Sequence, residues 1–201
     1  MKVGVIDYGI GNLGSLVNMF YRLAIECTPV SDPADLEQYD RVILPGVGAY
    51  DTAVEVLHAS GFDESIRRYA QSGRQLLGIC LGMQLLLDSS EEGNLPGLGL
   101  IPGRAVKFRA DVNVRVPHMG WNGVRPTRSH SLFSSLDDEN RFYFAHSYHA
   151  SGVLPANTLA TTHHGSEFAS MIFDENVAGA QFHPEKSHRF GLALLNDWVA
   201  A

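Results

Sequence analysis

Cys80 lies where a short apolar segment, residues 75–79, meets a run of good helix formers at residues 83–87. Gly78 and Gly82 flank it at a distance of two residues, which is the G-x-nucleophile-x-G spacing of a sharp strand-to-helix turn. A thiol on such a turn stands at a helix N-terminus, where free N–H groups and the helix dipole favour the thiolate. The segment predicts a reactive nucleophile, and an inert buried cysteine is the alternative.

His183 and Glu185 follow another apolar segment, residues 177–182, and they flank Pro184. The proline biases His183 toward extended backbone, and side chains two positions apart on a strand point the same way. A carboxylate on one ring nitrogen fixes the tautomer and leaves the other nitrogen to serve a thiol. Together with Cys80 this predicts a Cys-His-Glu triad, although a short His-x-Glu motif alone is more often an exposed, solvated pair.

Short apolar strands alternate with helical patterns in the first half of the chain. Strands are predicted at residues 3–6, 41–44 and 75–79, and helices lie between them. This alternation is typical of βαβ units, and it predicts an α/β fold with a mostly parallel sheet. Ligands bind beyond the carboxyl ends of the strands in such sheets, which is where Cys80 is expected.

A glycine-rich turn, Gly46-Val47-Gly48, follows the predicted strand at residues 41–44. Two glycines after a strand free backbone N–H groups to point at a ligand, as donors to an oxyanion would. The N–H of Leu81, directly after the nucleophile, is the natural first donor. The turn and Cys80 should therefore meet at one edge of the sheet.

Gly9, Gly11 and Gly14 form a literal G-x-G-x-x-G after the first strand, and Asp32 lies 18 residues beyond Gly14. This is the spacing of a dinucleotide-binding fingerprint. A tight strand-to-helix turn that needs glycines would give the same pattern. The chain is also short for the second, substrate-binding domain that dinucleotide enzymes usually carry.

Composition limits the classes of function. The formal net charge is −7 with no basic cluster, which argues against nucleic-acid or anionic-membrane partners. Hydrophobic residues make up 45% and charged residues 18% of the 201, so we expect one folded domain over residues 1–201. The cysteines are only Cys27 and Cys80, and no signal peptide or long apolar span is evident, so we expect a cytoplasmic protein with Cys27 in the core.

Strand-like segments dominate the second half of the chain. We predict strands at residues 105–108, 112–116, 141–144, 158–163, 168–173 and 177–182, added to the parallel sheet as antiparallel hairpins. Residues 116–122, Val-Pro-His-Met-Gly-Trp-Asn, break this pattern and are predicted to form an irregular surface loop. His163 and His164 lie by a turn and are expected to be solvated, without metal ligation. His146 is polar at a strand end, and the sequence leaves open whether it lines the pocket.

The motifs around Cys80 and His183 resemble those of the triad-type, class I glutamine amidotransferases. The segments 7–13, 44–49, 116–122, 144–148 and 183–187 further resemble the glutaminase subunits of imidazole glycerol phosphate synthases, and together they span most of the chain. The resemblance implies a flavodoxin-like central sheet flanked by helices, with added antiparallel hairpins. It also implies hydrolysis of glutamine through a Cys80 thioester, without a cofactor or a metal.

The resemblance assigns further roles residue by residue. It implies substrate binding by Gly46, Gly48, Gln84, Ser147 and Tyr148, and an oxyanion site made by the backbone at Leu81, Val47 and Gly48. It implies a heterodimer with a (β/α)₈-barrel cyclase subunit, which uses the ammonia for imidazole glycerol phosphate and an aminoimidazole carboxamide ribotide in histidine biosynthesis. Asn12, Trp121 and Lys186 resemble residues at that interface.

Two alternatives remain at this point. The chain could be the glutaminase of another synthase, such as the one that makes pyridoxal phosphate, because the Cys80 and His183 motifs specify only the superfamily. It could also be a nucleotide-binding protein that uses Gly9, Gly11 and Gly14, but this would leave the triad without a role.

Overall fold

The computed structural model describes residues 1–109, 114–137 and 139–201. The first half alternates strands and helices as the sequence predicts, and the second half is mostly strands. The strands are β1 Lys2–Ile6, β2 Glu26–Val30, β3 Arg41–Leu44, β4 Gln75–Ile79, β5 Ser89–Ser90, β6 Arg104–Lys107, β7 His118–Gly123, β8 Arg125–Pro126, β9 Arg141–His146, β10 Tyr148–Ser151, β11 Thr158–His164, β12 Ser166–Asp174 and β13 Val177–Ala180. The helices are α1 Leu13–Arg22, α2 Tyr50–Ser60, α3 Phe62–Gln71, α4 Leu81–Leu85 and α5 His188–Ala200, with 3₁₀ turns at Pro33–Gln38, Ser131–Phe133 and Pro184–Lys186.

A central sheet joins the two halves of the chain. Its order is β2-β1-β3-β4-β13-β12-β10-β6-β5, and β11 and β8 extend it beside β12. The strands from β2 to β13 run parallel, whereas β12, β11 and β10 add antiparallel pairs. The predicted mostly parallel sheet with antiparallel additions in the second half is confirmed. A separate two-stranded sheet pairs β7 with β9.

Helices cover both faces of the inner parallel strands β1, β3, β4 and β13, so most of their side chains are buried, whereas the edge strand β2 is largely exposed. Val3 and Val5 pack in a cluster with α1 and α5, which contribute Phe20 and Trp198. The alternate strand positions face α2 and α3 in a second cluster, where Leu57 and Tyr69 are buried. These two layers support the sheet whose carboxyl edge carries Cys80. No helix in the described ranges is long and apolar enough to cross a membrane.

Three predictions need correction. Residues 116–122 are not an irregular loop, since β7 begins at His118 and pairs with β9 in register. Of the strand predicted at 112–116, residues 112 and 113 lie outside the described residues, and 114–116 are not in a strand. β13 ends at Ala180, and Glu185 sits in a 3₁₀ turn that Pro184 begins, so strand alternation is not what aligns Glu185 with His183.

Candidate functional site

Cys80 occupies the junction of β4 and α4 in a strained backbone conformation. Its φ is 55° and its ψ is −108°, a region that non-glycine residues rarely adopt. The flanking glycines make this turn possible, because a Cβ on Gly78 would lie 2.6 Å from the Gly82 carbonyl oxygen. A Cβ on Gly82 would lie 1.9 Å from the Leu44 carbonyl oxygen. The predicted elbow is therefore present, and both glycines are required sterically.

His183 reaches the same edge from the neighbouring strand. β13 pairs with β4 in parallel, with Ala180 opposite Ile79, so the segments after the two strands emerge side by side. The His183 backbone N–H donates to the Tyr143 carbonyl at 2.9 Å, which anchors it to β9. Its Nδ1 lies 2.8 Å from Glu185 Oε1, and both side chains are about 95% buried or more. The structure thus brings together the three residues of the predicted triad.

The surroundings of His183 favour its charged form. Burial opposes ionisation, but hydrogen bonds with Cys80 and Glu185 outweigh it and raise the pKa of His183 to about 9. A protonated imidazole beside a sulfur is the arrangement that stabilises a thiolate. The site therefore places a charged imidazole, which is a proton donor, beside the Cys80 sulfur.

A cavity of about 400 Å³ opens over Cys80 and His183. Its volume lies within the range for small-molecule sites. Most of the residues predicted to bind substrate or an oxyanion line it, namely Val47, Gly48, Leu81, Gln84, Ser147 and Tyr148. The predicted Gly46 is buried beneath this lining, where a Cβ would lie 3.0 Å from the Gly82 backbone nitrogen.

Tyr8 anchors the glycine-rich turn, a contact that our sequence analysis missed. Its hydroxyl donates to the Pro45 carbonyl at 2.8 Å, and a Cβ on Gly46 would lie 2.9 Å from the same hydroxyl. Burial and the nearby Cys80 raise the pKa of Tyr8 above its ordinary value, so the phenol remains a neutral donor. Only Gly46 leaves room for this contact.

The Gly9–Gly14 segment supports this turn too. A Cβ on Gly11, whose φ is 144°, would lie 3.2 Å from the Pro45 ring, whereas a Cβ on Gly14 would meet nothing within 4 Å. Asp32, the acidic residue of the fingerprint, instead accepts from the Ala34 N–H at 2.9 Å at the start of a 3₁₀ turn. The fold thus accounts for Gly11, whereas the packing sets no requirement for glycine at Gly14.

Of the predicted interface residues, Lys186 lines the cavity over Cys80, whereas Asn12 and Trp121 are outside its lining. Trp121 is 45% exposed and stacks on His188, and Lys186 lies over the Tyr143 ring at 5.8 Å. Tyr143 also contacts the Trp121 ring edge-on. Asn12 caps α1 by accepting from a backbone N–H, and α1 contacts the turn that carries Lys186.

Four histidines gather behind the pocket around Phe108 and Phe168. His118 Nδ1 lies 2.9 Å from His146 Nε2, and both rings are buried. His149 and His164 pack against the same Phe108 ring, so His164 is half-buried rather than fully solvated, whereas His163 is exposed. Within the described ranges, no three His, Cys, Asp or Glu residues are placed to hold a metal ion.

Burial makes this cluster sensitive to acid. Burial and the neighbouring histidines lower the pKa of His118 to about 4 and that of His146 to about 3. Since the unfolded chain takes up these protons near pH 6.5, acidification below that value favours unfolding. We expect the free energy of unfolding to fall by up to about 1.4 kcal/mol per pH unit for each ring between pH 6.5 and 4.

Urea unfolding at pH 7, 6 and 5 measures this loss. A His118→Phe variant should lose stability less steeply with acidification, and a control at the exposed His163, His163→Gln, should keep the wild-type slope. An identical slope in His118→Phe and wild type would contradict the assignment.

Comparisons with known proteins agree with this geometry. Residues 4–200 match the family model described as "Glutamine amidotransferase class-I". The chain is 44% identical to imidazole glycerol phosphate synthase subunit HisH of Sulfurimonas denitrificans, with 98% of this chain and 97% of that protein covered. It is 41% identical to subunit HisH 2 of Methanococcus maripaludis, with 98% of both chains covered.

Solved structures share the fold at lower identity. The structure of PurLQS from Thermotoga maritima matches with a TM-score of 0.78 at 19% identity, covering 99% of this chain and 97% of that one. A crystal structure described as a glutamine amidotransferase matches with a TM-score of 0.71 at 21% identity, covering 96% and 98% of the two chains. The family model and the sequence relatives show that this chain belongs to the class-I glutamine amidotransferase family and, within it, to the family of imidazole glycerol phosphate synthase subunit HisH.

Proposed function

We propose that this chain is the glutaminase subunit of an imidazole glycerol phosphate synthase and that residues 1–201 work as one glutamine amidotransferase domain. The observation that supports this most strongly is the juxtaposition of Cys80, held at a φ of 55°, with the buried His183–Glu185 pair beside one cavity. This arrangement suits acyl transfer from the side-chain amide of glutamine.

The reaction is divided between the three side chains. His183 takes the Cys80 proton, and the sulfur attacks the amide carbon of glutamine to give a tetrahedral oxyanion. As this collapses, the C–N bond breaks, His183 protonates the leaving nitrogen, and ammonia departs from a glutamyl thioester. Water, deprotonated by His183, then cleaves the thioester to glutamate and restores the thiol. Glu185 orients His183 through Nδ1 and stabilises its positive charge.

The pocket residues bind glutamine and its oxyanion. The Leu81 N–H stands in the first turn of α4, where backbone donors have no intrahelical acceptor, and it meets the oxyanion together with an N–H of the Val47–Gly48 turn. Gln84, one helical turn after Cys80, contacts glutamine, and the Ser147–Tyr148 segment holds its α-carboxylate and amine. Each such donor stabilises the transition state by a few kcal/mol, which corresponds to a rate gain on the order of 10²-fold per donor.

The synthase subunit to which this chain delivers ammonia is a (β/α)₈-barrel cyclase, with which it forms a heterodimer. Exposed apolar side chains line the pocket, Val47 at 44% and Met119 at 63% exposure, and Trp121, 45% exposed, lies two residues after Met119 on β7; a partner protein that covers this side of the pocket would bury them. Asn12, Trp121 and Lys186 contact the cyclase. In the cyclase, ammonia adds to a phosphorylated ribulosyl-imidazolecarboxamide intermediate of histidine biosynthesis; its nitrogen enters imidazole glycerol phosphate, and the aminoimidazole carboxamide ribotide is released as the second product.

Covalent labelling tests the proposed chemistry. A glutamine analogue that carries a leaving group should alkylate Cys80, as read by peptide mass spectrometry, and glutamine should protect against it. Cys80→Ser should abolish the label, while Cys27→Ser, which removes the half-buried second thiol, should leave it unchanged. Labelling that persists in Cys80→Ser would overturn the assignment of the nucleophile.

The isolated subunit should be nearly idle, because ammonia made without a consumer wastes glutamine. Gly48, with a φ of 97°, gives the oxyanion turn the freedom to hold its donor misaligned until the partner binds. We expect hydrolysis to rise on the order of 10²-fold when the cyclase and its ligand are added, the gain expected from one aligned oxyanion donor. An equally fast isolated subunit would contradict this expectation.

Tyr8 should matter for turnover more than for substrate binding. Tyr8→Phe leaves the Pro45 carbonyl without its buried donor, which should cost about 1–2 kcal/mol of stability and lower kcat roughly tenfold with little change in KM. Tyr69→Phe is the matched control, because its hydroxyl donates to the Tyr39 carbonyl at 3.1 Å, away from the pocket. Steady-state kinetics should show a loss of kcat in the first variant alone, and equal kcat values would refute the role.

A further inference from the structure

Gln181 places a fully buried amide in a stretch of the chain that is otherwise apolar. It follows β13, whose four residues are all buried, and it precedes the buried Phe182. An amide that is buried without hydrogen bonds costs roughly 1–3 kcal/mol or more in stability. The hydrogen bonds that this amide makes therefore indicate what it does in the fold.

The backbone holds Gln181 next to the nucleophile, because β13 pairs with β4. The Cys80 N–H donates to the Ala180 carbonyl at 2.8 Å, and the Gln181 N–H donates to the Ser170 carbonyl at 2.9 Å. Gln181 is not among the residues that line the cavity over Cys80. Its side chain therefore approaches the sulfur from within the protein and leaves the cavity free for a ligand.

Hydrogen bonds determine the orientation of the Gln181 amide. The Tyr148 backbone carbonyl can only accept, so the Gln84 atom that lies 3.0 Å from it is the nitrogen, Nε2. The same nitrogen lies 3.1 Å from Gln181 Oε1. Since an amide nitrogen donates and does not accept, the Gln181 atom that faces Gln84 must be the oxygen. The Gln181 nitrogen is then on the branch that points away from Gln84.

This nitrogen faces the nucleophile. Gln181 Nε2 lies 3.9 Å from Cys80 Sγ, and it has no other hydrogen-bond partner among the residues that the structure describes. A thiol is a weak acceptor, whereas hydrogen bonds to an ionised acceptor such as a thiolate are stronger. The buried Gln181 donor is consequently satisfied best when the sulfur carries a negative charge.

We propose that Gln181 is a second hydrogen-bond donor to the nucleophile, beside His183, and that it orients the Cys80 sulfur and stabilises its thiolate. When His183 takes the Cys80 proton, the negative charge left on the sulfur is met by the Gln181 N–H. The consequence for glutamine hydrolysis rests on the proposed function, whereas the contact with the sulfur does not. A purely structural role, in which Gln181 only supports Gln84, would leave the ionisation of Cys80 unchanged.

The pH dependence of Cys80 alkylation tests this contact in the full-length chain without glutamine. Iodoacetamide reacts with the thiolate, so the midpoint of its rate against pH reports the ionisation of the Cys80–His183 pair. Gln181→Met keeps a long side chain but removes the donor. The midpoint should rise by about one pH unit, which corresponds to the loss of one hydrogen bond to a charged group. Peptide mass spectrometry separates the reaction of Cys80 from that of Cys27.

Ser170→Ala is the matched control. Ser170 is also fully buried, and in the described part of the chain its hydroxyl has no hydrogen-bond partner. This variant removes a polar group on the strand beside Gln181 but leaves both donors to the sulfur in place, so its midpoint should be that of the wild type. An unchanged midpoint in Gln181→Met would overturn the proposal, and so would an equal shift in the two variants.

NMR of the wild-type chain decides if Gln181→Met does not fold. The side-chain amide signals of Gln181 should shift with pH at the same midpoint as the alkylation rate, and Cys80→Ala should abolish this shift. Amide signals that stay in place across the midpoint, or that shift equally in Cys80→Ala, would overturn the proposal.

Glutamine hydrolysis by the complex with the cyclase separates the two levels of the argument. Gln181→Met should lower kcat/KM about tenfold, the rate equivalent of one pH unit of lost ionisation. A wild-type complex that does not hydrolyse glutamine would refute the proposed function and leave the alkylation result standing. An active wild type whose Gln181→Met variant keeps both kcat/KM and the alkylation midpoint would refute the role of Gln181 alone.

Discussion

His183→Gln should lose at least about 10³-fold in kcat for glutamine hydrolysis, because it removes the group that moves every proton in the reaction. A carboxamide can occupy the site and accept or donate a hydrogen bond, but it cannot take the Cys80 proton. The measurement is ammonia or glutamate release by the complex with its synthase partner under saturating glutamine.

Two further variants make this result specific. Glu185→Gln should lower kcat by a smaller factor than His183→Gln does. It disturbs the orientation and charge of His183 but does not remove the imidazole, as in other triads. His58→Gln is the matched control, because His58 lies on α2 with its side chain 81% exposed and should keep wild-type activity. Retention of more than a tenth of the wild-type kcat by His183→Gln would exclude His183 as the general base.

Gly82→Ala should destabilise the fold by about 3 kcal/mol or more, which is a fall of roughly 10 °C in the melting temperature for a chain of this size. The added Cβ would lie 1.9 Å from the Leu44 carbonyl oxygen, and a backbone atom of a central strand cannot rotate away. Relief would require α4 to shift away from β3, and Cys80 would move with it.

Gly14→Ala is the control for this substitution. Gly14 also lies in a helix, and an added Cβ there would meet nothing within 4 Å. Alanine in a helix is favoured over glycine by about 0.5–1 kcal/mol, so this variant should be slightly more stable. Thermal unfolding of the two variants should therefore shift in opposite directions, and a Gly82→Ala protein with a wild-type melting temperature would contradict the packing argument.

The central part of the site could be predicted from the sequence because local spacing determines it. Gly78 and Gly82 around Cys80 reveal a tight turn, and the structure shows that neither can carry a side chain. The His-x-Glu spacing predicts that His183 and Glu185 pair, and they do. Strand alternation is not the reason, however, because Glu185 lies in a 3₁₀ turn.

The polar network behind the pocket could not be predicted in the same way. The side chains of β7 alternate between the two faces as in any strand, but the polar His118 is buried and the apolar Met119 and Trp121 are exposed. Apolar residues on the outer face and a histidine inside suggest a loop when hydrophobicity alone is considered. The role of Tyr8 was hidden too, since its acceptor is a backbone carbonyl 37 residues away.

The position of β13 between β4 and β12 has a consequence for biosynthesis of the protein. The first four strands, β1 to β4, are complete once Ile79 has been added to the chain. They join the later strands of the sheet only through β13, which ends at Ala180. A chain emerging from the ribosome can therefore build one half of the sheet early, as proteins commonly do. It cannot assemble a working site until almost the last residues have been translated, so truncated products carry the sulfur yet release no ammonia.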